Sequence, residues 1–149
     1  MASGMQKVFL VVTAVMLVGL VLAGLVFVKA FDAWQLAKRA GDETATLQNI
    51  KTIAVVELQY FYGHRRTFAT FEQLVQEQLL SSKFSGNPVN TDGYVLTLNV
   101  TSEPATFTIK ADPAHAMAGS KHFYLDSVSR EIHVNAEKPA GPNDPVLDK

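Results

Sequence analysis

The spacing of hydrophobic positions along this chain changes character twice. From Val8 to Val28 the sequence is an uncharged apolar run in which Thr13 is the one polar side chain. Such a run carries no amphipathic period. At a rise of about 1.5 Å per residue it makes a helix of roughly 31 Å, the thickness of a bilayer's hydrocarbon core. Lys29, Phe31, Asp32 and Trp34 follow it. A cleaved secretory signal has a shorter apolar core, of about 7 to 15 residues, and a small-residue cleavage site after it. The expectation is a retained transmembrane anchor at 8–28 behind a stub of residues 1–7.

Beyond the run, a 3.6-residue period sets in. Residues 29–62 are rich in helix formers, with Gly41 the one breaker, so the membrane helix is expected to continue into water and to loosen at Gly41. From Thr46, the residues Leu47, Ile50, Ala54, Leu58 and Phe61 recur at steps of three and four, with Ile53, Val56 and Tyr60 on an adjoining stripe. This stripe is the expected helix–sheet core, and Lys51, Glu57 and Gln59 are assigned to the wet side. The helix is expected to stop around Gly63-His64-Arg65-Arg66. Thr70-Phe71-Glu72-Gln73 then has the form of a capping box, opening a short helix to about Leu80. Ser81 to Gly93, rich in Ser, Asn, Gly and Pro, reads as a loop.

The period then falls to two. Tyr94–Val100 and Ala105–Ala111 alternate, and Lys121–Leu125 and Arg130–Val134 are two further short runs. Four antiparallel strands in a meander are the economical reading, their apolar face covered by the long helix in an α+β domain over residues 63–134. Pro139, Gly141, Pro142 and Pro145 make residues 135–149 an extended tail with little capacity for burial.

Composition narrows the function. The 149 residues carry a net charge of -1 and no cysteine. Disulfides and thiolate catalysis are therefore excluded, and the scattered lysines make no basic face for nucleic acid. His64, His115, His122 and His133 have no metal-ligand spacing, and Glu103, Asp112 and Asp126 fall on separate turns. Ser127 and Ser129 lack a nucleophile-elbow context. No catalytic, metal or cofactor residue is assigned, and no enzyme is expected. Within the span, Gly19 and Ala23 form a small-xxx-small pair suited to a close helix–helix contact. Trp34, Arg65 and Arg66 are candidates for a docking surface. Counting Lys and Arg near the span sets Lys7 and the amino terminus against Lys29, Lys38 and Arg39, a count that on its own favours a cytoplasmic domain without deciding the orientation.

The order of elements and several local stretches resemble the type IV pilins and the pseudopilins of type II secretion. The resembling residues are Leu36-Ala37-Lys38-Arg39-Ala40 with Asp42 to Ile53, then Glu57, Tyr60 and Tyr62, then Phe68-Ala69-Thr70 and Leu74. In the sheet they are Asp92-Gly93-Tyr94, Phe107-Thr108-Ile109 and His122 to Asp126 with Arg130-Glu131-Ile132. The resemblance covers about residues 36–134. It implies a pilin-like fold and an extracytoplasmic domain on the bacterial inner membrane, with the N-terminus cytoplasmic. The N-terminus departs from the family: Gly4-Met5 imitates a leader cleavage site, but the fifth residue from Met5 is Phe9 where the family has its assembly Glu, and no acid precedes Asp32.

Three functions follow as expectations. The first is a structural or accessory subunit docked on a larger integral membrane complex, whether secretory, respiratory or photosynthetic. The second is a minor pilin or pseudopilin in a filament, and the third a membrane-tethered sensor or ligand-binding module.

Overall fold

A computed structural model of the chain describes residues 2–116 and 118–148. The chain divides into two compact units, Met1–Ala37 and Lys38–Lys149. Helix α1 (Ala2–Gly63) passes from one into the other. All six prolines of the chain lie at or beyond Pro88, so no residue of α1 lacks a backbone donor or clashes with the preceding turn. Gly41 does not interrupt the helix. A lone glycine costs about 1 kcal/mol in a helix interior, and on both sides of it side chains bond the backbone or each other one turn away: Lys38 Nζ to Asp42 Oδ2 at 2.7 Å, and Thr44 Oγ1 to the Ala40 carbonyl at 2.8 Å.

In the first unit α1 is exposed on every side from Phe9 to Val28, and Gly19 has open space where a Cβ would stand. Residues Phe31 and Trp34 stack at 5.9 Å between ring centroids.

The second unit is α+β. Its sheet has five antiparallel strands in sequential order, β1 (Val89–Thr91), β2 (Tyr94–Ser102), β3 (Ala105–Pro113), β4 (His122–Asp126) and β5 (Ile132–Asn135). The expected four-strand meander lacks β1. That strand is only three residues long and sits in the polar stretch read as a loop. It is created by the Asp92-Gly93 hairpin, in which both residues have positive φ (51° and 75°), the backbone signature of a tight two-residue turn. The register pairs Val89 with Leu96 and Thr91 with Tyr94. The Asn87 side chain extends this ladder by one step, donating to the Leu98 carbonyl at 2.6 Å and accepting from its amide at 3.1 Å. Beyond Leu98, β2 has no strand partner on that side among the described residues.

The core is formed where the apolar face of the sheet meets α1 and α2 (Phe71–Gln76). Leu96, Leu98, Phe107, Ile109, Phe123 and Leu125 supply the sheet side. On α1 the buried positions are Thr46, Asn49, Ile50, Ile53, Val56, Glu57 and Tyr60. The buried stripe is thus rotated from the one expected. Ile50 lies at its centre, whereas Leu47 and Ala54 are partly buried at its edge and Leu58 and Phe61 are half-buried. Glu57, expected on the wet side, is fully buried. Position 57 lies seven residues after Ile50 and four after Ile53, which puts it on the same helical face as both.

Helix α2 begins at the expected box: the Gln73 amide donates to Thr70 Oγ1 at 3.3 Å and the Thr70 amide to Gln73 Oε1 at 2.8 Å. It ends at Gln76, earlier than Leu80, because the chain turns through Gln78 with φ 59° and the Leu79 and Leu80 amides close back onto the Leu74 carbonyl. Thr70→Ala removes one half of the box and is expected to cost about 1 kcal/mol, read as a lower denaturation midpoint by circular dichroism.

The C-terminal residues also differ from the expectation. They are held: the Val134 amide donates to the Pro145 carbonyl at 2.9 Å, and the Leu147 amide to the Ile132 carbonyl at 2.7 Å, with His133 opposite Val146. Asp144 fastens the bend by accepting from the Asn135 side chain (2.8 Å) and the Gly141 amide (2.7 Å), and Ala140 is buried. Asn135 and then the Gly141 amide hold the Asp144 carboxyl below the usual range. Residues 139–147 therefore close the β5 edge of the sheet.

Candidate functional site

The described residues bring no three His, Asp or Glu side chains together in a cluster able to hold a metal ion. His122 Nδ1 faces Asp112 Oδ1 across β3 and β4. His64 stacks on Tyr60 with centroids 3.8 Å apart and pairs with Glu77 at 3.4 Å. His115 is exposed on the loop after β3. His133 is buried; its Nδ1–H donates to the Asp144 carbonyl at 2.7 Å, while Nε2 has no partner. His64, His122 and His133 thus each serve a separate local contact.

Two polar clusters tie α1 to the sheet. Asn49 Nδ2 donates to Asp92 Oδ2 at 2.7 Å, and Lys83 Nζ bridges Asn49 Oδ1 (3.2 Å) and Asp92 Oδ2 (3.3 Å). The Asn49 bond, ahead of Lys83 and Thr91, holds the Asp92 carboxyl below its ordinary range against the opposing effect of burial. Nearer the start of this unit, Glu43 accepts from the Ser120 amide at 3.2 Å and pairs with Lys121 at 3.4 Å. There Gly119 lies flat on Tyr94, where an added Cβ would fall 2.1 Å from the phenol oxygen. Tyr94 is fully buried and donates to the Lys121 carbonyl at 2.9 Å. Burial pushes its phenol pKa up.

The surface candidates are placed as follows. Gly19 and Ala23 are exposed in the first unit, as is Trp34. Arg65 and Arg66 are exposed in the second, at the turn that ends α1, and both have positive φ (53° and 62°). A feature that the sequence reasoning missed is an apolar groove of about 400 Å³ between α1 and the closed sheet edge, walled by Ala54, Val55, Leu125, Ile132, Val146 and Leu147. Lys51, Arg130, Glu131 and Asp148 border it. Val55, on its rim, is 64% exposed although its neighbours Ala54 and Val56 face inward. The sequence signal for the groove was weak, because one wall is the tail and tail pairing is set by distant residues.

Glu57 was also missed. Its Oε2 accepts from the Ala69 amide at 2.9 Å, and its Oε1 is buried without a partner. Desolvation by burial pushes this carboxyl up to about 7, with the Ala69 bond acting in the opposite direction.

Compared with protein-family models, curated proteins and solved structures, the chain gives no match.

Proposed function

We propose that this protein is a non-catalytic, single-pass membrane subunit whose α+β domain docks on a larger integral membrane complex. The observation that carries the reading is the apolar segment Val8–Val28, none of it buried against the rest of the chain. Fifteen of its 21 residues are Leu, Phe or Val, and apolar surface on this scale is covered by lipid or by other membrane helices. The α1 helix that holds this segment is the one described helix long and apolar enough to cross a bilayer.

In this reading the protein sits in a bacterial inner membrane, N-terminus cytoplasmic and domain periplasmic, with the pilin-like resemblance supplying the orientation. The domain docks rather than catalyses. What supports that is the way several polar side chains are used: Asn49, Glu43 and Asp144 bond other parts of the domain. The absence of an acid before Asp32 favours an accessory subunit over a pilus subunit, since a lone carboxylate in the span costs several kcal/mol and is kept where it has work to do.

A second reading, a minor pilin or pseudopilin, is favoured by the open face at Gly19 and Ala23, where another helix can approach closely. The test is mild solubilisation of native membranes, affinity isolation and mass spectrometry of what accompanies the chain. Stoichiometric integral membrane proteins unrelated to pili support the accessory subunit. Pilus or secretion-machine components support the second reading, and a chain that extracts alone as a monomer overturns both.

A further inference from the structure

The segment from Gly63 to Thr70 links α1 to α2 and turns sharply. Its conformation includes two consecutive non-glycine residues, Arg65 and Arg66, in the left-handed region. Backbone there is strained for residues with a Cβ and persists where surrounding bonds hold it. Those bonds are few. The His64 amide donates to the Tyr60 carbonyl at 2.9 Å, the Arg66 amide to Phe61 at 3.1 Å, and the Thr67 amide and hydroxyl to His64. The first two join the turn to the last residues of α1 and the others lie within it, while Phe68 packs on Phe61 and Phe107. At the far end, the Ala69 amide donates to Glu57 Oε2, a buried bond reaching back twelve residues to α1.

Glu57 holds this bond from a fully buried position, with its second oxygen unpartnered. Among the described residues no charged side chain pairs with it. On its own helix the titratable neighbours along the same face are Tyr60 and His64, and His64 is engaged with Tyr60 and Glu77. On the turn, Arg65 and Arg66 are exposed, as are Glu72 and Glu77 on and after α2. The sheet face that packs on α1 presents one titratable group, Tyr94, which bonds the Lys121 carbonyl.

We propose that Glu57 is a proton-operated latch: its neutral carboxyl keeps the Gly63–Thr70 turn docked on α1, and its ionisation releases the turn to water. An ionised carboxylate left in this site has one amide donor and no counter-charge, whereas opening the turn hydrates it. The sign follows from the raised folded-state value of about 7 against an ordinary 4.5. Docking is at full strength below pH 4.5, weakens as pH rises toward 7 and levels off above it. The difference corresponds to a ~300-fold larger opening equilibrium at alkaline pH. Presentation of the Arg65-Arg66 pair then depends on pH near neutrality.

The test is hydrogen exchange with mass spectrometry on the full-length chain in detergent micelles between pH 4.5 and 8.5, corrected for intrinsic exchange. Peptides covering residues 63–70 are compared with peptides covering β3. The expected result is an opening constant for 63–70 that exceeds that of β3 at every pH and rises ~150-fold across the range, the exposed carboxyl being already half ionised at pH 4.5. In Glu57→Gln, which keeps an oxygen for the Ala69 amide but cannot ionise, the rise is expected to vanish. A flat wild-type profile overturns the latch, and so does exchange of 63–70 in step with β3, which would mean that the turn opens only with the whole domain. Retention of the rise in Glu57→Gln overturns the assignment to this residue, and the wild-type profile decides the matter by itself should that variant fail to fold.

Discussion

A chain that begins at Lys38 is expected to stay in the aqueous phase, folded, while the full-length protein sediments with membranes. The fifteen Leu, Phe and Val residues between Val8 and Val28 contribute roughly 0.3–0.6 kcal/mol each to insertion, about 5–9 kcal/mol together. Every buried hydrophobic residue of the second unit lies at or after Ile50, so the truncation takes nothing from its core. Membrane flotation with circular dichroism of the soluble fraction checks both halves. A single Leu17→Arg substitution, costing about 3 kcal/mol at the centre of the span, is by the same arithmetic too small to release the chain. Sedimentation of the truncated chain with membranes would move the anchor into the domain.

Phe123→Ala is expected to remove about 3–5 kcal/mol of stability, comparable to the whole margin of a small domain at the low end of the usual range. Phe123 is a buried residue of β4, pairs with Ala111 on one side and Val134 on the other, and packs near Tyr94 with ring centroids 5.9 Å apart. None of these neighbours can move in to fill the space. Ala111 is short, and Tyr94 is fixed by its bond to the Lys121 carbonyl and by Gly119 against its ring. The urea midpoint of the anchor-free fragment is expected to fall by about 2 M, given a slope of 1–3 kcal/mol per molar. A shift below about 0.5 M would show that the core repacks around the loss.

The parts of the fold legible in the sequence were those fixed by local physics. The capping box at Thr70 and Gln73 involves residues three apart, and the long strands announce themselves by alternation, as in Tyr94 to Val100. The parts that were not legible depend on distant partners. Strand β1 exists because β2 lies beside it, and its three residues are too few to display a period. The tail's prolines signal extended backbone correctly, but the bonds from Val134 and Leu147 that dock it join residues eleven and fifteen apart. Glu57 was misplaced by residue type alone. Its spacing from Ile50 and Ile53 marks the buried face, and the chemical prior that carboxylates face water prevailed over the geometry. Of the surface candidates, the exposure of Trp34, Arg65 and Arg66 could be anticipated, whereas the groove beside Val55 needed the tail in place.

The docked tail also governs how copies of this domain can associate. A β-sheet stacks edge to edge without limit only when both edges offer unpaired amides and carbonyls. Here both outer edges are short: the tail residues 145–147 lie along β5, and the three residues Val89–Thr91 with the Asn87 side chain lie along β2, leaving Val100 to Ser102 of β2 without a partner on that side among the described residues. Edges this short, with Pro145 on the tail and Pro88 before β1, offer an added strand only a few ladder bonds, so edge-to-edge stacking of copies is disfavoured.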